Sequence, residues 1–85
     1  MVKESFLKAL GANVKRERLK KGWSQMELAY RINKDQPSIN RLERGRVNPS
    51  IIYLAEIAAG LEIELKILLV GIDSSCFTDD YPKNT

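Results

Sequence analysis

Gln36, Asn40, Arg41 and Arg44 fall within nine residues of one another between Asp35 and Gly45, and Gln25 precedes the first of them by eleven. None of these side chains is a strong nucleophile. What they share is multiple hydrogen bonding: a Gln amide matches the donor and acceptor at adenine N6 and N7, and an Arg fork donates twice to guanine O6 and N7. At 100° per residue, Ile39 and Leu42 point one way while Pro37, Asn40, Arg41 and Arg44 point roughly opposite. A helix through this stretch presents one polar, basic face. A major groove about 12 Å wide admits one such helix, with phosphates on both sides.

Other chemistries are poorly supplied. The chain has 85 residues, no His and one Cys, so imidazole base chemistry, multi-thiolate zinc sites and an internal disulfide are excluded. Cys76 reads as an incidental thiol in a reducing compartment. Glu62 and Glu64 flank Ile63 without a catalytic frame, and the stretch Gly45 to Pro49 lacks a phosphate-loop Lys-Ser/Thr signature. An enzyme is not expected, and neither is a cofactor or metal. A chain this short forms one thin core with little room for a deep cleft. It has no 18-residue apolar run and no apolar signal core, so a cytoplasmic location with no membrane partner is expected. The net charge is only +3, yet residues 15–46 carry +6, from ten basic and four acidic residues, while residues 47–72 and 73–85 carry −2 each. A basic block of this kind attracts a polyanion. A solvated helix face that binds nothing is the plain alternative.

Several short helices are needed to position that block. Phe6, Leu7, Leu10, Val14 and Leu19 recur at helical spacing, predicting a first helix from about Ser5 to Lys21 that stops at Gly22. Ser24 with Glu27 forms a capping box for a second helix carrying Leu28, Ala29 and Ile32. After a turn at Asn33-Lys34, Asp35 caps a third helix, where Pro37 is tolerated in the first turn, and Gly45 ends it. Ser50 caps a fourth, largely buried helix of Ile51, Leu54, Ala55, Ile57 and Ala58, stopped by Gly60. Between Leu61 and Ile72, Ile63, Leu65 and Ile67 alternate like a strand, whereas Leu65, Leu68 and Leu69 suit a helix; the helix is preferred. The expected architecture is all-α: five helices in residues 1–72 and a flexible polar tail at 73–85. Trp23, Tyr30 and Tyr53 read as packing at helix ends rather than as a base-stacking set.

The second and third helices with their short turn form a helix-turn-helix pattern. The run Leu10-Gly11-Ala12-Asn13-Val14-Lys15 with Arg18 and Gly22, then Ser24-Gln25-Met26-Glu27-Leu28-Ala29, then Ile39-Asn40-Arg41-Leu42-Glu43-Arg44-Gly45-Arg46 and Asn48-Pro49-Ser50, resembles the Cro/C1-type (XRE) helix-turn-helix family. The resemblance covers about residues 6 to 69 and implies a compact lambda-repressor-like domain that binds DNA. Gln36, Pro37 and Arg41 are the candidates for base contacts, with Pro37 limited to apolar contact. The plainer readings are that Gln36 extends the Asp35 cap and that Arg41 touches phosphate alone. Gln25, at the start of the second helix, is placed for a phosphate, the role the resemblance also implies. Ser38, Asn40, Arg44 and Arg46 join it, with Lys15 and Lys20 as weaker contacts or solvated cations. The resemblance further implies an internal ion pair between Arg18 and Glu43.

One helix-turn-helix reads about half a site, so a homodimer on a palindromic double-stranded DNA operator is expected. The apolar surplus after Gly60 supplies a dimer interface at Ile63, Leu65, Ile67 and Val70, unless it only completes the monomer core. The expected function is a sequence-specific transcriptional regulator, with RNA polymerase as a further partner. The alternative is an antitoxin-type module whose main partner is a toxin bound by the apolar segment and tail, with DNA binding secondary.

Overall fold

A computed structural model of the chain describes residues 2–72; Cys76 and the expected tail lie outside the described residues. The order is α1 (Val2–Lys20), α2 (Gln25–Arg31), α3 (Gln36–Glu43), α4 (Ile51–Leu61) and a 3-10 helix (Leu65–Leu69). No strand occurs among the described residues. The all-α expectation holds, with one correction. The fifth helix is a single 3-10 element of five residues rather than an α-helix across 61–72.

Three hydroxyl or carboxyl caps start the helices. Ser24, Asp35 and Ser50 are all in extended backbone, and each accepts the N–H three residues on, from Glu27 (3.0 Å), Ser38 (2.7 Å) and Tyr53 (3.0 Å). The capping box is only half made, because the Glu27 carboxylate accepts from Arg31 at 2.7 Å. The Ser38 hydrogen bonds hold the Asp35 carboxyl below the usual carboxylate range.

All four α-helices end alike. Gly22, Asn33, Gly45 and Glu62 adopt left-handed φ. The following N–H then bonds back five residues, Trp23 to Arg18, Lys34 to Ala29, Arg46 to Arg41 and Ile63 to Ala58. The expected stop at Gly60 is therefore displaced by two residues. Gly60 lies inside α4, where an added Cβ would strike Ile32 Cγ2, so its role is close approach of α4 to the end of α2. The first helix also starts earlier than Ser5, at Val2.

The core consists of Leu10 and Val14 from α1, Leu28 and Ala29 from α2, Ile39 and Leu42 from α3, Leu54, Ile57, Ala58 and Leu61 from α4, and Leu68 from the 3-10 helix. Ile51 and Ala55 are exposed, so α4 is buried along one stripe only. Tyr30 is 82% exposed and does not pack, contrary to the expectation for it. Trp23 does pack against the core and carries the Arg31 guanidinium 4.0 Å above its ring.

Asn13 fixes the last element. Its buried amide donates to the Leu68 carbonyl (2.9 Å) and the Val70 carbonyl (2.7 Å), while its own oxygen accepts from Arg16 (2.8 Å). These are carbonyls at the end of the 3-10 helix. Asn13→Ala is expected to lower stability by about 1 kcal/mol, roughly 5 °C in thermal unfolding, with hydrogen exchange accelerated first at residues 65–72. Uniform acceleration across all elements would contradict this local role.

Candidate nucleic-acid interface

Because Ile39 and Leu42 are buried, α3 turns the opposite stripe outward. Pro37, Arg41 and Arg44 are exposed, and Gln36, Ser38 and Asn40 are half-buried. The Arg41 guanidinium donates to Ser38 Oγ at 3.2 Å. Gln36 takes no part in the Asp35 cap; its Nε2 donates to Gln25 Oε1 at 2.7 Å, and Asn40 Nδ2 donates to the same oxygen at 3.2 Å. Gln25 Nε2 donates onward to Glu43 Oε1 at 3.1 Å. The Gln25 amide thus ties the start of α2 to the first two turns of α3.

Beneath it lies a buried fork. Arg18 Nε donates to Glu43 Oε2 at 2.6 Å and Arg18 Nη2 to Glu43 Oε1 at 2.9 Å, while Nη1 donates to the Trp23 carbonyl at 2.7 Å. The two side chains are only 7% and 2% exposed. A continuous hydrogen-bonded path therefore runs from α1 through Glu43 and Gln25 to Gln36 and Asn40. Glu17, also buried, is held below the usual carboxylate range: burial alone would raise it, but hydrogen bonds and charge from Arg16 and Lys20 outweigh that cost.

Ion pairing sorts the cations. Arg16, Arg18, Lys20, Lys21, Arg31, Lys34 and Lys66 each have a carboxylate partner. Lys20, expected as a weaker phosphate contact or a solvated cation, pairs with Glu17 at 3.2 Å while remaining 65% exposed. No ion pair engages Lys3, Lys8, Lys15, Arg41, Arg44 or Arg46 among the described residues. Four of these, Lys3, Lys8, Arg44 and Arg46, line one cleft of about 960 Å³ between the start of α1 and the end of α3, with Glu4 as its one acidic wall. Lys15 lies two turns beyond Lys8 on α1, on the same helical face.

Lys3 and Lys8 lie outside the basic block of residues 15–46 and were not among the expected contacts. The close approach of Lys8 to Gly45, where an added Cβ would lie 2.7 Å from Lys8 N, brings them to Arg44 and Arg46. No local pattern announces that contact. Of the expected dimer residues, Ile63 and Leu65 are half-buried against the core, Ile67 is half-buried, and Val70 is 53% exposed. Leu69 is exposed beside Val70, and Ile51 and Ile52 at the start of α4 are exposed as well. No described helix is long and apolar enough to cross a membrane.

Comparison with known proteins agrees with this arrangement. Residues 14–68 match a family model described as helix-turn-helix. An HTH-type transcriptional regulator, y4dJ, of Sinorhizobium fredii is 37% identical over 70 residues, covering 82% of this chain and 91% of the relative. The restriction-modification controller protein C.AhdI from Aeromonas hydrophila superposes with a TM-score of 0.74 at 31% identity, over 76% of this chain and 94% of that one. The hypothetical transcription factor NHTF from Neisseria gives 0.73 at 34% identity, over 79% and 78% of the two chains.

Proposed function

From the premise that the chain belongs to the Cro/C1-type (XRE) helix-turn-helix family and is a DNA-binding transcriptional regulator, we propose that it acts in the cytoplasm as a homodimer on a palindromic operator, with α3 of each copy in a major groove. The toxin-binding alternative finds no support in these relatives. Residues 1–72 form the DNA-binding unit. Gln36, Pro37 and Arg41 meet base edges; Gln25, Ser38, Asn40, Arg44 and Arg46 meet the strand beside the groove, with Lys15, Lys3 and Lys8 contributing charge. The Arg18–Glu43 pair positions rather than contacts.

The observation that supports this best is the sorting of cations. Those of the second half of α1, of α2 and of the 3-10 helix are mostly paired with Glu side chains, whereas those around the C-terminal end of α3 have no ion-pair partner among the described residues. Unpaired cations release counterions when they meet phosphate, which gives affinity its salt dependence. A second copy would join through the apolar edge of Ile67 and Val70, flanked by Ile63 and Leu65.

Selection from random duplexes, with sedimentation of the free and bound protein, tests the reading. The expected result is a palindrome whose half-site centres are about 34 Å apart, bound by two copies. Lys8→Gln is expected to weaken every duplex alike and to reduce the slope of log K against log salt by about 1. Binding of a single asymmetric site by one copy would contradict the dimer, and an unchanged slope would remove Lys8 from the interface.

A further inference from the structure

We propose that the Tyr53 hydroxyl donates a hydrogen bond to a backbone phosphate of the operator, in the small cleft between α3 and the start of α4. The inference rests on the reading that α3 lies in the major groove.

Tyr53 Oη is buried and bonds to no other group of the protein, the one such side-chain polar atom among the described residues. Native folds seldom leave a buried hydroxyl unsatisfied, and each exception calls for a reason. Tyr53 lines a cleft of about 200 Å³ whose polar walls are Ser38, Arg41, Asn48 and Ser50. Every one of these can donate a hydrogen bond, and no carboxylate lines the cleft. Ser38 and Arg41 belong to the stripe that α3 turns outward, so the cleft opens beside the face proposed to meet DNA. An acceptor carrying negative charge, with room for more than a single water, is the ligand that such walls fit.

The hydroxyl is also kept in its donating form. Burial, and then the negative charge of Asp35, push the Tyr53 pKa up, with Glu56 adding to this and Arg41 opposing it. Lys34 lies 5.4 Å from the Tyr53 ring centre but is paired with Glu56 at 3.2 Å, so it is not the missing partner. The other walls are already served: Ser38 Oγ accepts from Arg41, Ser50 Oγ accepts from the Tyr53 N–H, and Arg41 and Ser50 are exposed to solvent. The phenol is held by its packed ring, so a phosphate meets its proton only where the exposed cleft walls, Arg41, Asn48 and Ser50, move aside on binding.

Tyr53→Phe removes only the hydroxyl. In the full chain the variant is expected to unfold at the wild-type temperature or a little above it, because no intramolecular hydrogen bond is lost. Its affinity for the selected operator is expected to fall about tenfold, equally for matched and mismatched duplexes, with the salt slope unchanged because no cation is removed. Replacing single phosphates by neutral methylphosphonates then locates the partner. At one phosphate per half-site, wild-type binding weakens while Tyr53→Phe, having already lost the bond, weakens less.

Wild-type operator affinity in Tyr53→Phe overturns the inference, as does a lowered unfolding temperature, which would mean that the hydroxyl is already bonded in the free protein. If the wild-type chain bound no duplex selectively, the functional reading itself would fall and the inference with it. If wild type binds its palindrome and only the methylphosphonate effects are identical in both proteins, the inference alone falls.

Discussion

Glu43→Gln is expected to destabilise the protein by about 3 kcal/mol, which for a domain of this size lowers the unfolding temperature by roughly 15 °C. The replacement keeps shape and removes charge. Arg18 would remain 7% exposed with a guanidinium whose two-bond fork no longer meets a carboxylate. The Trp23 carbonyl still accepts from Nη1, but a neutral acceptor does not offset the burial of a cation. The double variant Arg18→Met/Glu43→Leu separates the charge from the packing. Replacing both partners of a buried pair with apolar residues is often neutral or better, so much of the lost stability should return. Operator affinity should not return with it. Glu43 Oε1 also holds Gln25 Nε2, and without that anchor the Gln25 amide no longer keeps Gln36 and Asn40 in register. Chemical denaturation and operator titration of the three proteins decide the matter. A loss below about 1 kcal/mol in Glu43→Gln would show that the buried pair is not holding α3 to α1, and full operator affinity in the double variant would confine it to stability.

The helix starts were legible because capping is local: a Ser or Asp accepts an N–H three residues on, and all three such caps were readable at Ser24, Asp35 and Ser50. Helix ends were legible where Gly supplied the left-handed residue and illegible at α4, where Glu62 takes that conformation and Gly60 answers to Ile32 instead. The segment 61–72 read as strand or helix, with helix preferred, because what decides it is remote. Asn13, 55 residues before Leu68, satisfies the carbonyls left by a 3-10 turn. The same limit applies to the candidate site. The outward stripe of α3 follows from a 100° rotation and was readable. The block of +6 overstated the charge available, since six of its ten cations are paired, and it omitted Lys3 and Lys8, which only the packing of α1 on the end of α3 brings to Arg44 and Arg46. Similarly, the bond from Gln36 to Gln25 links two helices at a spacing that no period reports.

Arg41→Ala should show the largest effect on sequence discrimination, and its structure gives the reason it can be measured cleanly. Arg41 is exposed, and its only side-chain hydrogen bond among the described residues goes to Ser38 Oγ at 3.2 Å. Exposed substitutions of this kind change stability by about 0.5 kcal/mol or less, so the unfolding temperature is expected to hold while binding changes. An Arg fork on guanine O6 and N7 is worth up to about 3 kcal/mol against the wrong base, on the order of 100-fold. The loss should therefore fall on one base pair of each half-site: the preferred duplex weakens, the duplex changed at that pair hardly weakens, and the preference there disappears. Arg41→Lys should not restore it, because a single ammonium cannot reproduce two donors in one plane. Gln36→Ala differs in kind. It removes a donor to Gln25 as well as a base-edge amide, so it should combine a position-specific loss with a smaller loss on every duplex. If Arg41→Ala instead weakens all duplexes equally and lowers the salt slope by about 1, Arg41 is a phosphate contact, and base reading by α3 rests on Gln36 and Pro37.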